Sequence, residues 1–159
     1  GLWIEHAANL VARRLDCSGN GDAGLRIQRF DGRAGAMPQD VLITASRFND
    51  NHGSGLNAGI YGQDGATGTV YGPDRPDVTG VTVEDSEAGG NGGYGFYLAG
   101  DRIRAARLRA WDNGAVGPQG GITVQARHGT VEDCQVHDQL GIAIDVGGSR
   151  EVDVSGNEV

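Results

Sequence analysis

An amide residue recurs at one fixed place in an irregular repeat, and this restricts the chain to a stacked architecture. The segments LDCSGN, SRFNDN, SEAGGN, LRAWDN, CQVHDQ and VDVSGN align on Asn20, Asn51, Asn91, Asn113, Gln139 and Asn157. Three places before each amide stands a small or apolar residue: Cys17, Phe48, Ala88, Ala110, Val136 and Val154. After most of them comes Gly and a short alternating strand: GLRI from Gly24, GLNA from Gly55, GFYL from Gly95, GITV from Gly121 and GIAI from Gly141. The chain opens on the same unit, GLWI from Gly1. One copy is too short to bury its own apolar face, so recurring copies predict a solenoid.

The amides are separated by 31, 40, 22, 26 and 18 residues. The shorter intervals suit one turn of a right-handed parallel β-helix, and the longer ones the same turn with an inserted loop. The prediction is an all-β, right-handed parallel β-helix of about six coils, which at the strand spacing makes a rod of roughly 25–30 Å. Amides stacked at that pitch hydrogen-bond to one another as an Asn ladder.

Alternation along the first strand of each coil assigns its faces. Leu2, Ile4, Leu25, Ile27, Leu56, Ala58, Phe96, Leu98, Ile122, Val124, Ile142 and Ile144 point inward. Trp3, Glu5, Arg26, Gln28, Asn57, Gly59, Tyr97, Ala99, Thr123, Gln125, Ala143 and Asp145 then face solvent. A second sheet turns Val41, Ile43, Val81, Val83, Ile103 and Val131 inward. Residues 31–39 and 62–78 interrupt the pitch at one edge of the rod. Rich in Gly, Pro and Asp, they read as surface loops, where binding usually resides.

Composition narrows the partners. With 29 glycines and three Phe, and no window of sustained 3.6-residue periodicity, a helical bundle is excluded. No run of 18 apolar residues or charged-then-apolar leader is present, so no membrane span or signal peptide is predicted. The net charge is −8 and all 13 basic residues are Arg, which argues against nucleic acid. The absence of Lys fits a high-GC bacterial genome. Residue 1 already lies inside a repeat and neither end carries a polar cap, which predicts one β-helix domain, 1–159, continuing in a longer one. Exposed ends make end-to-end self-association an additional partner. Cys17 and Cys134 fall on coils separated by roughly 19 Å of stacking, too far for a disulfide. They read as free thiols packed as small core residues.

The sixth place after each Gly holds Tyr61, Asp101 and Arg127 in consecutive coils, with His128 following directly. A phenol, a carboxylate, a guanidinium and an imidazole on one rim are the groups that proton abstraction beside a carboxylate uses. Arg127 would neutralise the sugar acid, His128 or Tyr61 would act as base, and Asp101 would orient either Arg127 or His128. Asn57, Tyr97 and Gln125 offer a hydrogen-bonding and stacking surface, extended by Trp3, Arg26 and Gln28. The plainer readings are an Asp101–Arg127 surface ion pair and tyrosines that merely cover the sheet. His6, His52 and His137 read as solvated turn residues. Arg102, Arg104, Arg107 and Arg109 crowd one strand and are expected to pair with Glu84, Asp85, Glu132 and Asp133 across strands. Asn49, Asp50 and Asn51 carry oxygens of the kind calcium uses. The nonapeptide of calcium β-rolls does not recur, so neither metal nor cofactor is assigned.

Taken together, VLITASRFNDNHGSG, VTVEDSEAGGNGGYGF and GIAIDVGGSREVDVSGNEV resemble the bacterial right-handed parallel β-helix repeats that bind or process carbohydrate. The small-x-apolar-x-x-Asn-x-x-x-Gly rhythm is most similar to that of mannuronan C5-epimerases and alginate lyases. The epimerase signature Tyr-Gly-Phe-Asp-Pro-His is met only as Tyr-Gly-Phe in YGFYLAGD, Tyr94–Asp101. Arg127-His128-Gly129 echoes the Gly-His-Gly of polygalacturonases, whose Arg-Ile-Lys has no counterpart in a chain without Lys. The resemblance implies a secreted or cell-surface bacterial protein that engages an acidic polysaccharide by lyase or C5-epimerase chemistry. The alternative is a non-catalytic structural, adhesin or phage-spike segment.

Overall fold

In a computed structural model the chain is all-β, with no helix among the described residues, which are 1–29, 36–60, 62–63, 70–72, 74–115 and 119–159. Parallel strands stack in sheets that the chain visits in the same order at each repeat. The first sheet contains, in spatial order, β1 (Leu2–Ile4), β3 (Leu25–Ile27), β5 (Leu56–Ala58), β10 (Phe96–Gly100), β13 (Ile122–Ala126) and β16 (Ile144–Asp145). The second contains β2 (Ala8–Arg13), β4 (Gln39–Thr44), β8 (Thr79–Glu84), β11 (Ile103–Ala106), β14 (His128–Glu132) and β17 (Glu151–Ser155). A third, narrower sheet is built from β9 (Glu87–Gly89), β12 (Arg109–Trp111) and β15 (Gln135–His137). One antiparallel pair, β6 (Gly62–Gln63) with β7 (Val70–Tyr71), stands apart from this stack. No described helix is long and apolar enough to cross a membrane.

Inward side chains from all three sheets form a single apolar core. Leu25, Ile27, Leu56, Ala58, Phe96, Leu98, Ile122 and Val124 line one wall, and Val41, Ile43, Val81, Val83, Ile103 and Val131 another, all buried as expected. Phe48 and Phe96 meet edge to face with centroids 6.2 Å apart, the preferred geometry of an aromatic pair.

Two corner columns set the pitch of every repeat. Between the second and third sheets, Arg14, Ala45, Asp85, Arg107, Asp133 and Gly156 all have φ between 51° and 66°. A single left-handed residue therefore turns the chain at this corner. A second left-handed column, Gly19, Asp50, Gly90, Asp112 and Asp138, directly precedes the amides. Gly and Asp tolerate that conformation best, which explains the recurring Gly-Asn and Asp-Asn pairs.

The amides form a ladder with one polarity. Asn20, Asn51 and Asn91 each donate from Nδ2 to the Oδ1 of the next asparagine, at 2.9, 3.0 and 2.8 Å. Each of those Oδ1 atoms also accepts a backbone N–H from the same donor residue. Gln139 continues the series, its Oε1 accepting the Asn113 N–H at 3.2 Å.

Asn157 does not belong to this ladder. It accepts from the Cys134 N–H at 2.9 Å, so it stands one corner earlier, after Gly156 of the other left-handed column. The same slip affects the last first-sheet strand. Ile144, not Ile142, pairs with Ile122, and Ile142 and Val154 are 58% and 48% exposed. A two-residue shift preserves alternation, so the apolar pattern alone does not distinguish the two registers.

The exposed flank of the second and third sheets is neutralised across strands. Arg104 bonds Glu84 at 2.8 Å and Glu132 at 2.9 Å. Arg107 bonds Asp85 at 2.7 Å, and Arg47 and Arg109 share Glu87. The Arg107 hydrogen bond holds the Asp85 carboxyl below its usual range.

Both cysteines are free. Burial raises the pKa of each thiol, more fully enclosed at Cys134 than at half-buried Cys17, and the thiolate is the reactive form. Native-state alkylation should therefore label Cys17 ahead of Cys134, with the difference abolished in urea. Equal native labelling would show that the repeat around Cys134 opens readily.

Candidate functional site

The outer face of the first sheet carries a continuous register column. Trp3, Arg26, Asn57, Tyr97, Thr123 and Asp145 are consecutive partners across the six strands. The Tyr97 hydroxyl donates to Gln125 Oε1 at 2.7 Å. Tyr94, in the turn before β10, lies against Tyr97 with ring centroids 5.1 Å apart and planes at 40°. Burial, and secondarily the Asp145 charge, raises the Tyr94 hydroxyl pKa, so it remains a neutral donor. Arg26 is held by Asp22 at 2.7 Å, while Trp3 is exposed at the first strand and Gln28 is half-buried beside β1. The middle of this face is not open. Thr123 and Ala99 are 3% and 1% exposed, Thr123 lying in register between the larger Tyr97 and Asp145.

Asp101 and Arg127 stand at the corner where the first sheet passes into the second, and His128 opens β14. Asp101 Oδ1 lies 2.6 Å from His128 Nδ1. Glu151 Oε2 is 3.5 Å from the other ring nitrogen. Asp101 therefore orients His128 rather than Arg127, which is exposed and makes no ion pair among the described residues. In the neutral tautomer that donates Nδ1–H to Asp101, Nε2 carries the lone pair, 3.5 Å from Glu151 Oε2. That is the arrangement a general base requires.

Tyr61 lies outside the described residues. Among the described residues, Asp101 is bridged in parallel by Thr79, at the start of β8. The Asp101 N–H donates to the Val78 carbonyl at 3.1 Å. On the other side of Arg127 the corner place goes to Arg150 instead of Gly147: the Arg150 N–H donates to Ala126 O at 3.0 Å and the Glu151 N–H to Arg127 O at 2.9 Å. The structure thus unites Asp101, Arg127 and His128, places Tyr97, Gln125 and Asn57 on the adjoining face, and adds Tyr94, Arg150 and Glu151. These last two follow from the register of the final repeat, which the Gly141 alignment displaces.

The histidines outside this rim, His6, His52 and His137, are exposed as expected, though His137 lies in β15 and not in a turn. His137 stacks on Trp111 with planes at 13° and centroids 6.4 Å apart. Asn49 and Asn51 are engaged by the stack, Asn49 Oδ1 accepting the Gly89 N–H at 2.9 Å. Among the described residues, no group of three His, Cys, Asp or Glu side chains is placed to hold a metal ion.

Compared with known proteins, the chain matches no family model, no curated protein and no solved structure.

Proposed function

We propose that the stacked sheets form a right-handed parallel β-helix that engages an acidic polysaccharide along the outer face of the first sheet. The chemistry is that of a lyase or C5-epimerase acting on a uronic-acid polymer, exported to the bacterial surface or medium. One observation carries this reading: the 2.6 Å Asp101–His128 contact beside an exposed Arg127, next to the Tyr97–Gln125 surface.

In this mechanism Arg127 neutralises the sugar carboxylate, which acidifies the C5–H bond. His128 Nε2 removes the C5 proton, and Asp101 stabilises the imidazolium through Nδ1–H. The electron pair then has two outcomes. It forms the C4=C5 double bond as the C4–O bond breaks, the departing oxygen taking a proton; this is the lyase reaction. Alternatively, C5 is reprotonated on the opposite face, which inverts it. Tyr97, Gln125 and Asn57 would position the ring.

The test is incubation with alginate, pectate and other uronic-acid polymers, following unsaturated-uronate absorbance and C5 configuration by proton NMR. Turnover should fall about 100-fold in His128→Asn, the usual scale for losing a general base. Arg127→Gln should impair substrate carrying a free carboxylate. No product from any polymer would reject the catalytic reading. The two ladders favour a second reading, since amide and Arg–carboxylate columns rigidify a rod without serving chemistry. It is a structural, adhesin or phage-spike segment, which predicts polymer-independent stability and no turnover.

A further inference from the structure

A strap from the third repeat reaches the last one. Its base is buried: Asp77 and Val78 are 1% and 0% exposed, and Asp77 Oδ2 accepts the Arg29 N–H at 3.2 Å. Tyr71 is buried too, with the Arg75 guanidinium 6.0 Å over its ring. Paired backbone hydrogen bonds between Gly72 and Arg75, at 3.2 and 3.0 Å, close the tip. Among the described residues, Asp74 Oδ2 joins it to the last repeat through an exposed bond to Arg150 Nη2 at 2.6 Å, between residues 76 positions apart.

Arg150 is the register neighbour of Arg127, so two guanidinium-bearing positions occupy adjacent strands at one corner. Like charges placed so repel unless an anion lies between them. Of the other nearby carboxylates, Asp101 is committed to His128, and Glu151 makes no ion pair with either arginine among the described residues. Asp74 is thus the carboxylate supplied to Arg150, and it comes from an exposed position of the strap instead of the stack.

We propose that Arg127 and Arg150 together form a carboxylate subsite for a uronic-acid residue, and that Asp74 occupies its Arg150 side in the unliganded protein as an internal stand-in. This rests on the polysaccharide reading and adds to it two residues, Arg150 and Asp74, and a displacement step. The incoming sugar carboxylate takes over Arg150 and frees the strap tip, while the buried Asp77–Val78 base keeps the strap anchored. An exposed ion pair is weak enough to be exchanged in this way, and a guanidinium fork suits a planar carboxylate.

The experiment titrates mannuronate and galacturonate trisaccharides, and their methyl esters, into the wild type, Asp74→Asn, Arg150→Gln and the double variant, read by amide NMR shifts. All altered side chains are exposed, so folding is preserved. Asp74→Asn should bind a free-acid trisaccharide about 2- to 5-fold more tightly than wild type, the gain expected from removing a weak exposed competitor. The methyl ester should show no gain, and Arg150→Gln should abolish it. Equal free-acid affinity in wild type and Asp74→Asn overturns the stand-in while leaving polysaccharide binding intact. Absence of binding by every form overturns both.

Discussion

Asn91→Ala should destabilise the protein by about 4 kcal/mol, enough to remove a large share of a typical domain's stability. The Asn91 carboxamide sits at 0% exposure and makes four hydrogen bonds. It donates to Phe48 O and to Asn113 Oδ1, both at 2.8 Å, and accepts two donors from Asn51 at 3.0 Å. Alanine leaves the Asn51 N–H, one Asn51 Nδ2 proton and the Phe48 carbonyl without partners in a place closed to water. Each such group costs about 1–3 kcal/mol, and partial relaxation brings the sum to the figure given. Asn91→Asp does not rescue the site, since a carboxylate accepts but cannot donate to Phe48 O or Asn113 Oδ1. The same substitution at half-exposed Asn20 should cost under about 1.5 kcal/mol, because water replaces its partners. Urea denaturation measures the difference, and hydrogen exchange locates it. Each repeat contacts mainly its neighbours, so lost protection should centre on β9 and β12. Equal costs at Asn20 and Asn91 would show that the ladder is not a cooperative buried column.

Gly59→Ala should cost about 3 kcal/mol and disturb the candidate site as well. Residue 59 has φ of 76°, a left-handed conformation that costs a non-glycine residue roughly 1 kcal/mol. A Cβ there would also collide with the Ala99 carbonyl oxygen and approach Val78 Cγ2 at 3.2 Å. The first of these is backbone of β10 and cannot rotate away, so the strand must shift. Displacing Val78 in turn strains its carbonyl's bond to the Asp101 N–H, and with it the carboxylate that orients His128. Gly19→Ala is the control. It has φ of 69° but no atom within 4 Å of the added methyl, so only the conformational cost of about 1 kcal/mol applies. Thermal denaturation of both variants, with amide shifts of Asp101 and His128, tests the claim. Matching losses in the two variants would show that the backbone collision is absorbed.

Much of the candidate site is legible in the amino-acid sequence. Tyr97 and Gln125 are two places apart on neighbouring outward positions, and Asp101, Arg127 and His128 share a corner because Phe96 aligns with Ile122 without an intervening insertion. Where an insertion intervenes, counting along the strand fails. Thr79, the bridge partner of Asp101, escapes the count for that reason, and Arg150 and Glu151 escape it because the last repeat pairs its first strand two residues later than the Gly141 alignment and holds one residue more before the corner. Asp74 gives no local signal at all. Its partner lies 76 residues away, and an Asp in a Gly-Pro-rich loop is ordinary turn chemistry.

The amino-acid sequence alone determined the stacked parallel strands, the inward aliphatic columns and the interior of the amide ladder. These depend on local rules: period-two alternation, and a Gly or Asp that accepts a left-handed corner beside an amide of the right length. Only the tertiary structure decided which Gly-Asn pair occupies which corner. The Gly156-Asn157 and Gly90-Asn91 pairs are locally alike, and backbone pairing with β14 assigns Asn157 to the earlier turn. The tertiary structure alone also brought Asp74 to Arg150, and turned Asp101 toward His128 instead of Arg127. Such contacts join distant or competing partners of the same charge type, and register and loop path, not composition, choose among them.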